Sequence, residues 1–576
     1  MTAQLEHWSV EAAKDYLQTV VVVDDQVAID AHESANAPAD DEVLNDVDEL
    51  SVPAEGDAAL AAHPAPTPIP MQPKSGEPAG LDGAALSEAF ARYGLVCGYV
   101  RPTTSDQREE LIQGTFDRLF IRSDVLVLDW SLNGDTGQTT TRLVLRLVES
   151  EEGKLGRLRL ICIYTNDPDL YGIRDALGRS LREVGHKLDE SEDSEGLGLI
   201  ARDFRVSVLG KAGVSRAPLP AAAVVSEAEL PDRIVREFAL ASHGILPGFA
   251  LKSLSLLRDN APTLLQRFHG DLDPAFVSHD LLAGEGKRFA IQLIAREIQS
   301  LLESTGASDM ISRERIESWA KMRLSASSFV PKVQKKAAYK DIDAASVLEL
   351  LAQDSPDISS LIDADGGQLK MKSTATVASL FTTPEHANSS EEELGRLSCF
   401  ARDLHSGYSR ESEPTLQLGT ILVRADETSA AESVTEGLEH VDSKHEFWLC
   451  LQPLCDSERL DEPRAFPMIP LSEVDLGREF HFLALDHHEE RRILASNAKL
   501  YDMRMPRFSP NGGERVVRAF KRGGYPCFTS DTGDTFMWIG ELRPEHALRV
   551  SHKMGHLISR VGLDESEWLR KDGSNR

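Results

Sequence analysis

Five short apolar runs alternate with helix-length stretches over residues 8–211, and four of the five deliver a carboxylate, a hydroxyl or an ammonium at their C-terminal end. The β-branched run 19–23 leads into Asp24 and Asp25. The run 124–129 closes on Asp129, the run 157–164 is followed by Thr165, and the run 205–209 by Lys211. The remaining run, 95–100, carries none. Such continuous runs read as strands buried on both faces, as parallel strands are, because a half-exposed strand alternates instead. Helical spacing over 8–18, 86–93, 106–120, 139–149 and 171–188 supplies the crossovers. The expected fold is α/β: a doubly wound, parallel, five-stranded domain.

The alternation is interrupted once. Residues 31–82 hold 11 acidic residues against one lysine, Lys74, and Pro64, Pro66, Pro68 and Pro70 alternate with other residues. Such a stretch cannot bury enough apolar surface to offset chain entropy, so it reads as a disordered acidic insertion. The whole chain has 62 Lys+Arg against 93 Asp+Glu, a net charge of −31. That field repels phosphate and argues against a general nucleic-acid coat. Six cysteines without tight spacing exclude a disulfide scaffold. No leader pattern opens the chain, and no apolar run approaches the roughly 20 residues of a membrane span. The expectation is a cytoplasmic protein with reduced thiols and no membrane partner.

Four regions follow: the α/β domain over 1–228, a helical region over 229–353, a polar linker over 354–395, and an α+β C-terminal domain over 396–576. The last reads as short strands at 419–423, 446–451, 480–485 and 536–539 and a closing helix at 545–560.

In an open α/β sheet, ligands bind outside the carboxyl ends of the strands, so Asp24, Asp25, Asp129, Thr165 and Lys211 should converge on one crevice. Three carboxylates there repel one another unless a cation joins them. Oxygen ligands without His or Cys suit Mg²⁺. A carboxylate beside Mg²⁺ can accept a phosphoryl group, with Lys211 neutralising charge and the Thr165 hydroxyl binding a phosphoryl oxygen.

The segments VVVVDDQ (20–26), VLVLDWSLNGDTG (125–137), ICIYTN (161–166) and VSVLGK (206–211) resemble the receiver domain of bacterial two-component response regulators. The resemblance covers about residues 15–240 and implies a flavodoxin-like fold. It implies Asp129 as phospho-acceptor, read by Thr165 and Lys211. It also implies Mg²⁺ on Asp24, Asp25, Asp129 and the Ser131 backbone carbonyl, and a histidine kinase or kinase-like ATPase as partner. Departures from the family pattern are the insertion, Lys211-Ala212 in place of Lys-Pro, Val208 where an aromatic residue is frequent, and Asn166 where a smaller one is.

The C-terminal region offers weaker candidates. Its FWLCLQPLCDSERL (447–460), after the Gly419-Thr420-Ile421 strand start, resembles small SH3-like β-barrel proteins. Cys455 with Asp456, Arg459 and His440, His445 or His481 could form a nucleophilic site. Cys450 and Cys455, or His487-His488 with Glu489-Glu490, could bind metal. Buried packing or a solvated turn accounts for each more simply. The same holds for Glu541 and His546. Basic stretches at 310–340 (eight Lys/Arg) and 501–523 (six) could contact nucleic acid or the acidic insertion, but a solvated helix face explains them more simply.

The reading is a response-regulator-type protein, phosphorylated on Asp129 to control a C-terminal output domain and a downstream protein partner. It is a regulator rather than a catalyst acting on an external substrate. Two alternatives stay open: a pseudo-receiver acting as an interaction module, and a phosphorylation-gated C-terminal enzyme. The whole arrangement is similar to large bacterial response-receiver proteins, some of them in defence-associated signalling.

Overall fold

The computed structural model describes residues 2–28, 81–149, 158–189, 196–201, 204–212, 223–284, 286–325, 329–335, 338–353, 361, 377–405, 413–424, 446–474, 481–488, 490–496, 499–512 and 514–558. The chain divides into two compact units. One comprises residues 10–150 and 156–242; the other holds the first nine residues, 151–155 and everything from His243.

The first unit is built on strands β1 (Thr19–Val23), β2 (Val96–Val100), β3 (Val125–Leu128), β4 (Arg159–Thr165), β5 (Gly198–Ile200), β6 (Phe204–Lys211) and β7 (Val224–Val225). Their order is β2-β1-β3-β4-β6-β5, with β7 also on β6. The five expected strands are all present and mutually parallel. Two short ones were not legible: β5 runs antiparallel beside the start of β6, and β7 parallel beside its end. β1 lies between β2 and β3, so the crossovers leave it in opposite directions. That reversal opens a crevice at the carboxyl ends of β1 and β3.

Both faces of the sheet are covered, which explains the unbroken apolar runs. The helices of this unit are the part of α1 (Thr2–Tyr16) from residue 10 on, α2 (Gly83–Arg92), α3 (Ser105–Gln113), α4 (Asp117–Arg122), α5 (Gln138–Glu149), α6 (Leu170–Glu183) and α7 (Leu230–Ala241). Val21, Leu126, Ile161, Ile163 and Val206 pack under Leu111 of α3, Leu143 and Val144 of α5, and Ile173 and Leu177 of α6. Each such burial contributes about 1.5–3 kcal/mol. On the other face, Arg205 of β6 donates from Nε to Glu237 of α7 (2.7 Å), and both side chains are fully buried.

The single helix expected over 106–120 is two. Gly114 ends α3 in the left-handed region (φ 98°). Arg146 of α5 enters the gap, donating to the Ile112 carbonyl (2.6 Å) and pairing with Asp117 (2.5 Å). Backbone carbonyls freed at a helix end need such partners. The acidic stretch, apart from Leu81 and Asp82, lies outside the described residues. Its two ends meet: the Ala28 N–H donates to the Leu81 carbonyl and the Gly83 N–H to the Ala28 carbonyl, both 2.9 Å.

The second unit begins helical, as expected, with Ile245–Arg267, Asp273–Ala283, Gly286–Ser304 and Arg313–Leu324. A hairpin, Lys332–Lys335 with Ala338–Asp341, interrupts the helices before Ala344–Leu351. Most of the stretch read as a linker lies outside the described residues. Its end differs from that reading: Pro384–Cys399 is a helix, started by Thr383, whose hydroxyl accepts the His386 N–H.

Nine strands then form one antiparallel sheet, in the order 482–485, 491–495, 468–473, 447–450, 420–424, 535–542, 525–529 and 520–522, with 400–403 also on 535–542. The pairing path has two ends, so among the described residues this is an open sheet and not the small closed barrel that the SH3-like resemblance implied. One face packs Ile421, Leu449 and Ile539 against Ala547 and Val550 of the closing helix Pro544–Ile558. The other packs Leu422, Cys450 and Trp538 against Phe466 and Phe508.

Candidate functional site

β1, β3, β4 and β6 end side by side and carry Asp24, Asp129, Thr165 and Lys211 to one end of the sheet. The Lys211 ammonium lies 2.6 Å from Asp24 Oδ2 and 3.3 Å from Asp129 Oδ1. Asp24 is 2% exposed, and its other oxygen accepts the Gln26 N–H (2.7 Å). Asp25, at the crevice rim, accepts the Asn133 N–H on Oδ2 (2.9 Å). Its Oδ1 is buried without a hydrogen-bond partner. Thr165 is buried, and its hydroxyl oxygen accepts the Asp167 N–H (3.1 Å). Ser131 precedes a short 3₁₀ turn, Leu132–Gly134, in the loop after Asp129.

The electrostatics follow from this packing. Burial pushes the Asp129 carboxyl up to about 6; Lys211 opposes the rise, while Asp24 and Asp25 add to it. Burial also raises Asp25, against the Asn133 hydrogen bond. Burial disfavours the charge of Lys211, but Asp129 and Asp24 outweigh it and hold the ammonium above its ordinary value. The crevice is a carboxylate cluster with one lysine as internal counter-ion.

These residues fit Mg²⁺ in a particular way. The donors are all oxygen, and the orphaned Asp25 Oδ1 has buried lone pairs to offer. Among the described residues no three His, Cys, Asp or Glu side chains group closely enough to hold a metal by themselves. That suits an ion bound through one or two carboxylates and keeping several waters.

Several supporting residues escaped the sequence reading. Asn133 has a positive φ (54°), which turns its N–H toward Asp25 while its Nδ2 donates to the Pro102 carbonyl (2.6 Å). The Asn-Gly pair at 133–134 was the available signal, because Asn tolerates that conformation best after Gly. Thr140 Oγ1 donates to the Asp129 carbonyl (2.7 Å) and ties α5 to the site. Tyr164 gave no signal, since it reads as one more apolar residue in a buried strand.

Residues 16–216 match the family model described as the response receiver domain. This segment is a response receiver domain. A search of curated proteins and one of solved structures found no match. A receiver domain points to response-regulator-type, two-component signalling. The receiver domain ends, by that match, before β7 and α7, although both pack on its sheet.

Among the described residues the C-terminal candidates are not assembled into a site. Cys450 is buried in the core, where desolvation pushes its thiol up to about 12, while Cys455 is exposed and contacts its neighbour Asp456. His481 accepts the Ser496 N–H on Nδ1. His440, His445 and Glu489 lie outside the described residues. The Asp486 carboxylate accepts the His488 N–H and the Arg492 guanidinium, so this turn is held by its own hydrogen bonds. Glu541 pairs with Arg402 across neighbouring strands (2.8 Å), and His546 Nδ1 lies 4.0 Å from Cys399 Sγ. Within the basic stretches, Arg313 pairs with Glu317, Arg515 with Asp461, and Arg518 with Glu514. Those pairings hold three of the arginines against carboxylates. No helix among the described residues is long and apolar enough to cross a membrane.

Proposed function

We propose that Asp129 accepts a phosphoryl group from a partner histidine kinase or kinase-like ATPase, and that the modification controls the C-terminal unit. The observation that carries this is the Lys211 ammonium between Asp24 and Asp129 at the carboxyl ends of adjacent parallel strands. An Asp129 Oδ attacks phosphorus, an O–P bond forms, and the donor's bond to phosphorus breaks, its electron pair leaving with the donor group. Lys211 neutralises the incoming phosphoryl oxygens as a point charge. Thr165 hydrogen-bonds one of those oxygens. Mg²⁺, held among Asp24, Asp25, Asp129 and the Ser131 carbonyl, with one or two of the carboxylates bound directly and the rest through its waters, would supply further charge neutralisation.

Intact-mass spectrometry after incubation with acetyl phosphate tests this. One added phosphate that needs Mg²⁺ and is absent from Asp129→Asn is expected; labelling that persists in that variant removes Asp129 as acceptor. A second reading, a constitutive docking module, draws on the closeness of Lys211 to Asp24, which already satisfies the ammonium. It expects no adduct, and equal partner binding with and without phosphodonor.

A further inference from the structure

We propose that Tyr164 is a positioning residue for Lys211, and that β7, beyond the segment matched as a receiver domain, belongs to the same device. This rests on the reading of Asp129 and Lys211 as a phosphoryl site. Tyr164 is 1% exposed and immediately precedes Thr165. Its ring centre lies 5.7 Å from the Lys211 Nζ, within reach of a cation–π contact. Its hydroxyl donates to the Val225 carbonyl of β7 (2.9 Å). The same carbonyl accepts the Ala212 N–H (3.1 Å), and β7 pairs with β6 at Gly210↔Val224 and Lys211↔Val225.

Lys211 is therefore held three ways: its backbone by β7, its ammonium by Asp24 and Asp129, and its flank by the Tyr164 ring. A buried phenol needs an acceptor. Satisfying it on Val225 fixes the ring plane and the strand that carries Lys211 together. Simple core filling would need neither the hydroxyl contact nor the ammonium beside the ring. Two residues beyond Val225, Glu227 accepts the Asp82 N–H (3.1 Å), so this connector also meets the end of the acidic stretch.

The test uses the full chain as wild type, Tyr164→Phe and Tyr164→Leu. Labelling by acetyl phosphate with Mg²⁺ is followed by intact mass, and the Lys211 side chain by NMR with [ε-¹³C]lysine, assigned through Lys211→Arg. Tyr164→Leu should slow labelling about tenfold at saturating donor, with the half-saturating donor concentration unchanged, because a misplaced charge costs the chemical step and not donor binding. Tyr164→Phe keeps the ring but releases it from Val225, and should slow labelling by a smaller factor, about threefold. The ring-current shift of Lys211 should vanish in the Leu variant and persist in the Phe variant. If the Leu variant does not fold, Tyr164→Met carries the same expectation. Wild-type labelling rates in the variant lacking the ring, or equal losses in both variants, overturn the proposal. If the wild type takes up no phosphate, the phosphorylation reading fails on its own. The Lys211 resonance then decides: a shift lost only without the ring supports the positioning, and an unmoved one overturns it.

Discussion

Burial makes the charge on Asp129 harder to hold than on an exposed carboxylate. Its carboxyl rises from an ordinary 3.8 to about 6 through burial, despite Lys211. A carboxyl with a raised folded-state value stabilises the fold only while protonated; that contribution is complete below about pH 4 and lost as pH climbs through 6. Asp129→Asn should therefore raise thermal stability at pH 8, by about 3 kcal/mol at most, with the gain gone near pH 4. Lys211 keeps Asp24 as partner in that variant. Melting curves of both proteins across pH check this; a variant less stable at pH 8 contradicts it.

The loop after Asp129 and the helix α7 each depend on a few close contacts. Gly137 sits at φ 89°, and a Cβ there would meet the Trp130 ring at 2.2 Å; Gly134, at φ 75°, faces open space. Gly137→Ala should cost about 3 kcal/mol, combining backbone strain with overpacking, whereas Gly134→Ala should cost about 1 kcal/mol from strain alone. Equal denaturation midpoints for the two variants would contradict the Trp130 contact. On α7, Glu237 accepts from Arg205 and Ser207 and pairs with Arg233 (2.7 Å). Glu237→Ala leaves Arg205 buried without its carboxylate and should cost about 3–5 kcal/mol in urea unfolding. A loss under 1 kcal/mol would show that the network relaxes freely.

Across the whole molecule, the receiver unit extends past its family match. Ile234, Val235 and Phe238 of α7 are buried, and the Tyr16 and Phe238 rings stack at 5.8 Å. Residues 10–242 expressed alone should unfold cooperatively, while residues 16–216 should not, because without α7 one apolar face of the sheet meets water. Denaturant melts of the two fragments check this, and a cooperative transition in the shorter one would remove α7 from the domain.

The apolar runs, by themselves, determined the parallel sheet and the strand ends that bring Asp24, Asp129, Thr165 and Lys211 together, because a strand's length and burial are written in consecutive residues. The tertiary structure decided what depends on distant partners. Gly114 breaks a helix because Arg146 fills the gap; Tyr164 reaches a carbonyl 61 positions away; β7 is two residues long and exists only by pairing with β6. The C-terminal sheet follows the same rule. Four of its nine strands were visible one by one, but their pairing joins segments over a hundred residues apart, such as Ile421 with Gly540. Local propensity carries no record of such a partner; only the closed path of the chain supplies it.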